Sequence, residues 1–247
     1  MEITTERVQI PLTGGGSMGG YLARPTEAGP HAAVLVYMEI FGINSHIRDV
    51  TERVAREGYV ALAPDYFHRT GPGADLGYDD AGFAEGMKLL NALVADEMIG
   101  DARAAIDFLR GRSDVRGERI GCMGFCVGGH MTYLTACETD VRAAASFYGG
   151  GIAAPQGFGG AASTLSRTSA IGGKILCLFG EKDGFIPSDQ ADAIKAALGE
   201  HGIRHDVVVY PDADHGFFCD QRPAYQEKAA DDAWERTKAL FAQELAG

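Results

Sequence analysis

The chain has 247 residues, 46% of them hydrophobic and 23% charged, which is ordinary for a globular protein and enough to bury a sizeable core. Its formal net charge of −12 repels a phosphate backbone, so no nucleic-acid partner is expected. No apolar run approaches the length of a membrane span, and the opening MEITTERVQIPL carries acidic and polar residues where a secretory signal has a basic flank and an apolar run. A cytoplasmic protein without a membrane partner is expected.

The elements alternate between strand and helix. VQIPL (8–12) and GGYLARP (19–25) read as an opening antiparallel pair. HAAVLVYME (31–39) is a continuous apolar run, the pattern of a central strand covered on both faces. HIRDVTERVAREG (46–58) has helical spacing, with Ile47, Val50, Val54 and Ala55 on one face, Asn44 or Ser45 as cap and Gly58 as stop. YVALAPD (59–65) is the next strand, 66–80 a glycine-rich loop, and 81–112 a long helical pattern with an expected break at Gly100. RIGCMGFC (119–126) is a strand, 129–138 a helix and RAAASFYG (142–149) another strand. Residues 150–168, rich in Gly, Ala and Ser, show no firm periodicity and read as an irregular excursion near a site. KILCLFGE (174–181) is a strand, 188–202 a helix, RHDVVVYP (204–211) the last strand and 223–245 the closing helix. This alternation implies an α/β fold: a mostly parallel central sheet with helices on both faces, formed as a single domain over 1–247.

In such sheets, functional groups gather at the carboxyl ends of strands. GFCVGG places Cys126 where a G-x-nucleophile-x-G elbow carries its reactive residue; the glycines leave room for the sharp turn. The helix that follows offers unpaired N–H groups and a positive dipole end, which favours a thiolate. Asp183 in GEKDGFIP and His215 in DADHGFF follow the next predicted strands, in the chain order nucleophile, acid, histidine. His215 would accept the thiol proton, and Asp183 would fix the tautomer of the imidazole. Glu39 ends a wholly apolar strand in MEIFGIN; it either pairs with a nearby arginine such as Arg48 or points into the site beside the thiol. The backbone N–H groups of Ile40 and Val127 are the expected oxyanion donors. The five cysteines (Cys122, Cys126, Cys137, Cys177, Cys219) contain no CxxC pair, so neither a disulfide framework nor a metal site is expected.

These stretches resemble the dienelactone hydrolase (carboxymethylenebutenolidase) family of α/β-hydrolases over nearly the whole length. The resemblance rests on MEIFGIN, GYVALAPDYF, GFCVGG, SFYGGG, GEKDGFIP and DADHGFF. It implies a Cys–His–Asp triad of Cys126, His215 and Asp183 that opens an enol lactone through an acyl-enzyme, with no cofactor. It also implies that Glu39 interacts with the resting thiol, then shifts on substrate binding and takes its proton. Tyr148 matches a family tyrosine near the site and is either a strand-end aromatic packed in the core or a binding residue; Phe217, Phe218 and Phe185 suggest an apolar pocket.

One departure stands out. The family's two arginines that hold a substrate carboxylate are missing: Cys219 occupies one position, and residues 71–102 contain no Arg. Arg69 and Arg222 are the available substitutes. Losing a bidentate clamp removes affinity and orientation, which favours a neutral ester or lactone over the carboxylated one. The expected partner is therefore a small-molecule ester or lactone, and the expected state a monomer or homodimer. Two alternatives stay open: a broad-specificity carboxylesterase for neutral activated esters, and a non-catalytic α/β protein that binds a ligand or senses redox state.

Overall fold

The computed structural model describes residues 1–246 and contains one eight-stranded sheet. The strands are β1 (Ile3–Pro11), β2 (Ser17–Pro25), β3 (His31–Tyr37), β4 (Val60–Pro64), β5 (Val115–Phe125), β6 (Ala143–Phe147), β7 (Lys174–Gly180) and β8 (His205–Tyr210). Their order across the sheet is β1-β2-β4-β3-β5-β6-β7-β8. β1 and β2 form the expected antiparallel pair, β2 joins β4 antiparallel, and β3 to β8 are parallel. The main helices are α1 (Ser45–Arg56), α2 (Asp80–Asn91), α3 (Ala95–Arg110), α4 (Val127–Glu138), α5 (Ser188–Glu200) and α6 (Glu227–Leu245). Among the described residues no helix is long and apolar enough to cross a membrane.

Each element has a local cause. In β3, Ala32 to Tyr37 are all buried, because helices cover both faces of a central parallel strand. Successive residues of β5 face opposite layers: Gly121 lies against Leu245 and Phe241 of α6, and the Cys122 thiol donates to the Thr132 carbonyl of α4. Asn44 caps α1, its side chain accepting from the Ile47 N–H at 3.2 Å, and Gly58 follows the helix with φ 99°. Asp79 caps α2 by accepting from the Gly82 N–H at 2.8 Å. The break in the long helical pattern falls between Asn91 and Ala95 and not at Gly100, which lies inside α3. Gly100 is exposed and costs α3 little, whereas Asp96 and Glu97 supply negative charge where a new helix begins. The closing helix starts at Glu227, four residues later than its pattern suggests, after turns that run through Pro223.

The chain adds β4 on one side of β3 and then returns to add β5 on the other. Adjacent strands thus diverge at β3 and β5, and the crevice beyond their carboxyl ends is where open α/β sheets place ligands. The register aligns those ends: Tyr37 pairs with Gly124, Phe125 with Phe147, Phe147 with Leu178, and Gly180 with Tyr210. Loops leaving β3, β5, β6, β7 and β8 therefore meet along one rim.

Two glycines set the closest approach in this region. A Cβ on Gly124 would sit 2.3 Å from the Gly128 carbonyl oxygen, and one on Gly128 only 2.4 Å from that of Tyr37. Both obstacles are backbone and cannot swing aside. Gly128→Ala is therefore expected to destabilise the fold by about 2 kcal/mol or more. Gly100→Ala, with nothing within 4 Å of its Cβ, should stabilise by roughly 0.5–1 kcal/mol through helix propensity. Urea denaturation of the two variants checks the opposite signs.

Candidate active site

Cys126 stands at the N-cap of α4 with φ 58° and ψ −120°, a backbone conformation that side chains with a Cβ rarely adopt. It is held there from both sides. Its N–H donates to the Phe147 carbonyl at 3.1 Å, and its own carbonyl accepts from the N–H groups of Gly129 (2.9 Å) and His130 (3.2 Å). The turn pushes the thiol out of the backbone into a cavity of about 440 Å³, which Ile40, Val127 and His215 also line. Val127 is the first residue of α4, where N–H groups lack intrahelical acceptors.

His215 and Asp183 meet at the same rim. His215 Nδ1 lies 2.8 Å from Asp183 Oδ2, and the carboxylate is fully buried. The other oxygen, Asp183 Oδ1, accepts from the N–H groups of Phe185 (2.8 Å) and Ile186 (3.2 Å), so the acid is fixed before it orients the ring. With Nδ1 committed to Asp183, Nε2 is the nitrogen left for a proton from the cavity. Burial pulls the imidazole pKa down. The neighbouring Cys126 charge, with hydrogen bonds to Asp183 and Cys126, outweighs it and raises the pKa to about 10. The arrangement favours a protonated ring beside sulfur.

Glu39 is fully buried behind this group. Its partner is Arg222, with Nη1 3.1 Å from Oε1, and not Arg48, which instead pairs with Asp75 at 2.8 Å and donates to the Ile43 carbonyl. The other Glu39 oxygen accepts from Tyr78 at 3.3 Å, and the Tyr78 hydroxyl in turn accepts from Asn44 and Cys219. The Arg222 guanidinium packs over Phe41 and Tyr78 and fills the space beside Gly216, next to His215. It also lines the cavity.

The remaining expected residues divide. Tyr148 is buried with φ 37°, its ring 5.1 Å from that of His215, and it does not line the cavity; its hydroxyl has no hydrogen-bond partner among the described residues. Phe217 is likewise buried, packed against Tyr148 and Tyr210 behind the histidine, while Phe185 does line the cavity and is 64% exposed. Arg69 corrects an expectation. Its guanidinium is clamped bidentately by the buried Asp101, at 2.6 and 2.9 Å, and lies outside the cavity lining, so it fastens the loop after β4 to α3. Of the two substitute arginines, Arg222 is at the site and Arg69 is not.

The sequence reading missed His130. It lines the cavity four residues after Cys126, stacks on Phe158 at 4.2 Å and shares a 2.7 Å hydrogen bond with Thr164. Burial pushes its pKa down to about 4, against a weaker upward pull from a hydrogen bond with the Gly150 backbone. It is a neutral clamp on the 150–168 excursion. The available signal was its place one helical turn after the nucleophile. All five cysteines are free. Glu39, His46 and Cys219 each bring one donor atom to within 4.8 Å of the others, but the Glu39 charge is already met by Arg222, whose own positive charge opposes a cation there.

Comparison with known proteins identifies the family. The family model described as "Dienelactone hydrolase family" matches residues 18–245. The chain belongs to this family. It is 44% identical over 247 residues to a Synechocystis sp. protein that carries the provisional name carboxymethylenebutenolidase, covering 99% of both chains. A protein of the same provisional name from Escherichia coli is 33% identical over 93% of this chain and 83% of its own. A crystal structure of a provisionally named dienelactone hydrolase from Klebsiella pneumoniae superposes with a TM-score of 0.90 at 33% identity, covering 98% of this chain and 100% of that one. A dienelactone hydrolase-like promiscuous phosphotriesterase from metagenomic libraries shares the fold at 22% identity, with a TM-score of 0.82 and full coverage of both chains. The expected α/β-hydrolase fold is thus borne out, and the chain is a dienelactone hydrolase-like hydrolase.

Two stability measurements probe the charges. A histidine whose folded-state pKa is raised contributes stability that is complete below its ordinary value and is lost as pH rises through the folded one. The difference in denaturation midpoint between the protein and His215→Gln should therefore shrink between about pH 6.5 and about pH 10. Arg222→Met leaves Glu39 buried and unpaired and should cost about 3 kcal/mol. Glu39→Gln in the same chain should recover part of that loss in a double-mutant cycle.

Proposed function

We propose that this protein hydrolyses carboxylic ester or lactone bonds through an acyl-thioester on Cys126. The observation that carries the proposal is the Asp183–His215 pair, 2.8 Å apart, facing the cavity in which the strained turn presents the thiol. In the first half-reaction, the thiol proton passes to Nε2 of His215, and sulfur attacks the carbonyl carbon. The N–H groups of Ile40 and Val127 stabilise the oxyanion that forms. The carbon–oxygen bond to the leaving group breaks, and that oxygen takes the proton from His215. In the second half-reaction, water gives a proton to His215 and its oxygen displaces sulfur, which recovers the proton. Asp183 holds the ring in the required tautomer throughout and remains ionised.

Glu39 has a separate part. Arg222 holds it in the resting state; when that pairing loosens the carboxylate takes the thiol proton, as the family resemblance implies, and passes it to Nε2 of His215, so that one proton still reaches the leaving oxygen.

A neutral activated ester or lactone fits better than a carboxylated lactone. The walls are mostly apolar, and Arg222 is committed to Glu39. Turnover of p-nitrophenyl acetate should fall by at least about 10³-fold in Cys126→Ala, and mass spectrometry of the rapidly quenched protein should show an acyl adduct on Cys126. Equal rates in the two proteins would leave only a non-catalytic scaffold. Comparison of a carboxylated enol lactone with neutral aryl esters should favour the esters; the reverse preference would assign the substrate carboxylate to Arg222.

A further inference from the structure

We propose that α2 selects the acyl group: its stripe of Phe83, Met87 and Leu90 forms one wall of an apolar arm, Phe158 forms the facing wall, and an extended aryl or alkyl acyl chain fills the space between. This rests on the hydrolase reading above and adds a substrate class to it.

The stripe follows helical spacing, i, i+4 and i+7, and all three side chains line the same cavity as Cys126. The flank of α2 next to this stripe rests on the body of the protein through small contacts. Gly86 approaches so closely that a Cβ there would stand 2.6 Å from the Ile40 carbonyl oxygen, and Leu89 packs against Gly71. The helix is therefore seated on the very residue whose N–H is the expected oxyanion donor, and its outer stripe begins where a bound acyl group would begin. Phe158 is held by the His130 ring at 4.2 Å, and Gly159 lies against Val94 in the α2–α3 turn, which closes the end of the arm.

Orientation follows from the chemistry. The leaving oxygen must lie beside His215, because that ring returns the proton to it. Phe185 stands edge-on to His215 at 5.1 Å and is 64% exposed, so the leaving group faces open solvent. The acyl substituent departs from the carbonyl carbon on the other side, toward α2. Phe83 lies at the rim of the cavity and is 41% exposed, so a bound acyl chain would cover it.

The test compares p-nitrophenyl hexanoate with p-nitrophenyl acetate, and measures calorimetric binding of neutral 4-phenylbutanamide and acetamide to Cys126→Ala. The hexanoate-to-acetate ratio of kcat/KM should be about tenfold or more, since each methylene sheltered in an apolar arm is worth a severalfold gain. Leu90→Trp, which fills the arm, should cut that ratio by about tenfold. Phe83→Ala at the exposed rim, where folding is not at stake, should cut it about threefold. 4-Phenylbutanamide should bind Cys126→Ala more tightly than acetamide, and Leu90→Trp should weaken it. A ratio near one, or a ratio and amide binding that both variants leave untouched, overturns the arm while leaving the hydrolase reading intact. Amide binding that Leu90→Trp weakens, in a protein that turns over neither ester, keeps the arm and removes the hydrolase reading.

Discussion

The site depends on one backbone contact: the turn after β5 pressed against the end of β3. Gly128 comes within contact of the Tyr37 and Met38 carbonyls because it has no Cβ to hold them apart. That closeness forces Cys126 into a left-handed conformation, since the chain must reverse from strand to helix in a single residue. The fold absorbs the strain through the hydrogen bonds that surround Cys126 on both sides. Glu39 follows β3 by two residues, so the same strand end also buries a carboxylate, held by Arg222 and Tyr78.

A second constraint is electrostatic. One imidazole and one guanidinium serve two buried carboxylates, Asp183 and Glu39. Each carboxylate has lost its water and needs its partner, so each partner is held in place as firmly as it holds. The two pairs meet at Gly216, where the absence of a Cβ lets Arg222 lie directly beside the histidine. A bulkier residue there would separate the pairs and uncouple the resting position of Glu39 from the histidine loop.

Most of the sheet was legible because parallel strands buried on both faces leave unmistakable apolar runs, as at 31–39 and 174–181. The meeting of Cys126, Asp183 and His215 at one rim was legible for a related reason: each follows such a run, and the register of the sheet brings those ends together. What the sequence hid was long-range pairing. Nothing local joins Glu39 to Arg222, 183 residues away, and Arg48 looked nearer only along the chain. Arg69 was misplaced for the same reason, because Asp101 lies 32 residues further on and captures it. The helix break was misread because Gly100 weakens a helix without ending it, whereas the true interruption at 92–94 carries no glycine or proline. The cavity walls were invisible for a subtler reason: the stripe on α2 has the spacing of an ordinary core-facing helix.

The chain has a single tryptophan, Trp234 on α6. Its indole lies 6.2 Å from Phe218, which stacks at 5.2 Å on Phe125, the residue that immediately precedes Cys126. The molecule thus carries its own optical reporter, separated from the Cys126 turn by two aromatic rings. Fluorescence from that one chromophore follows the neighbourhood of the turn without a label, against no background from other indoles.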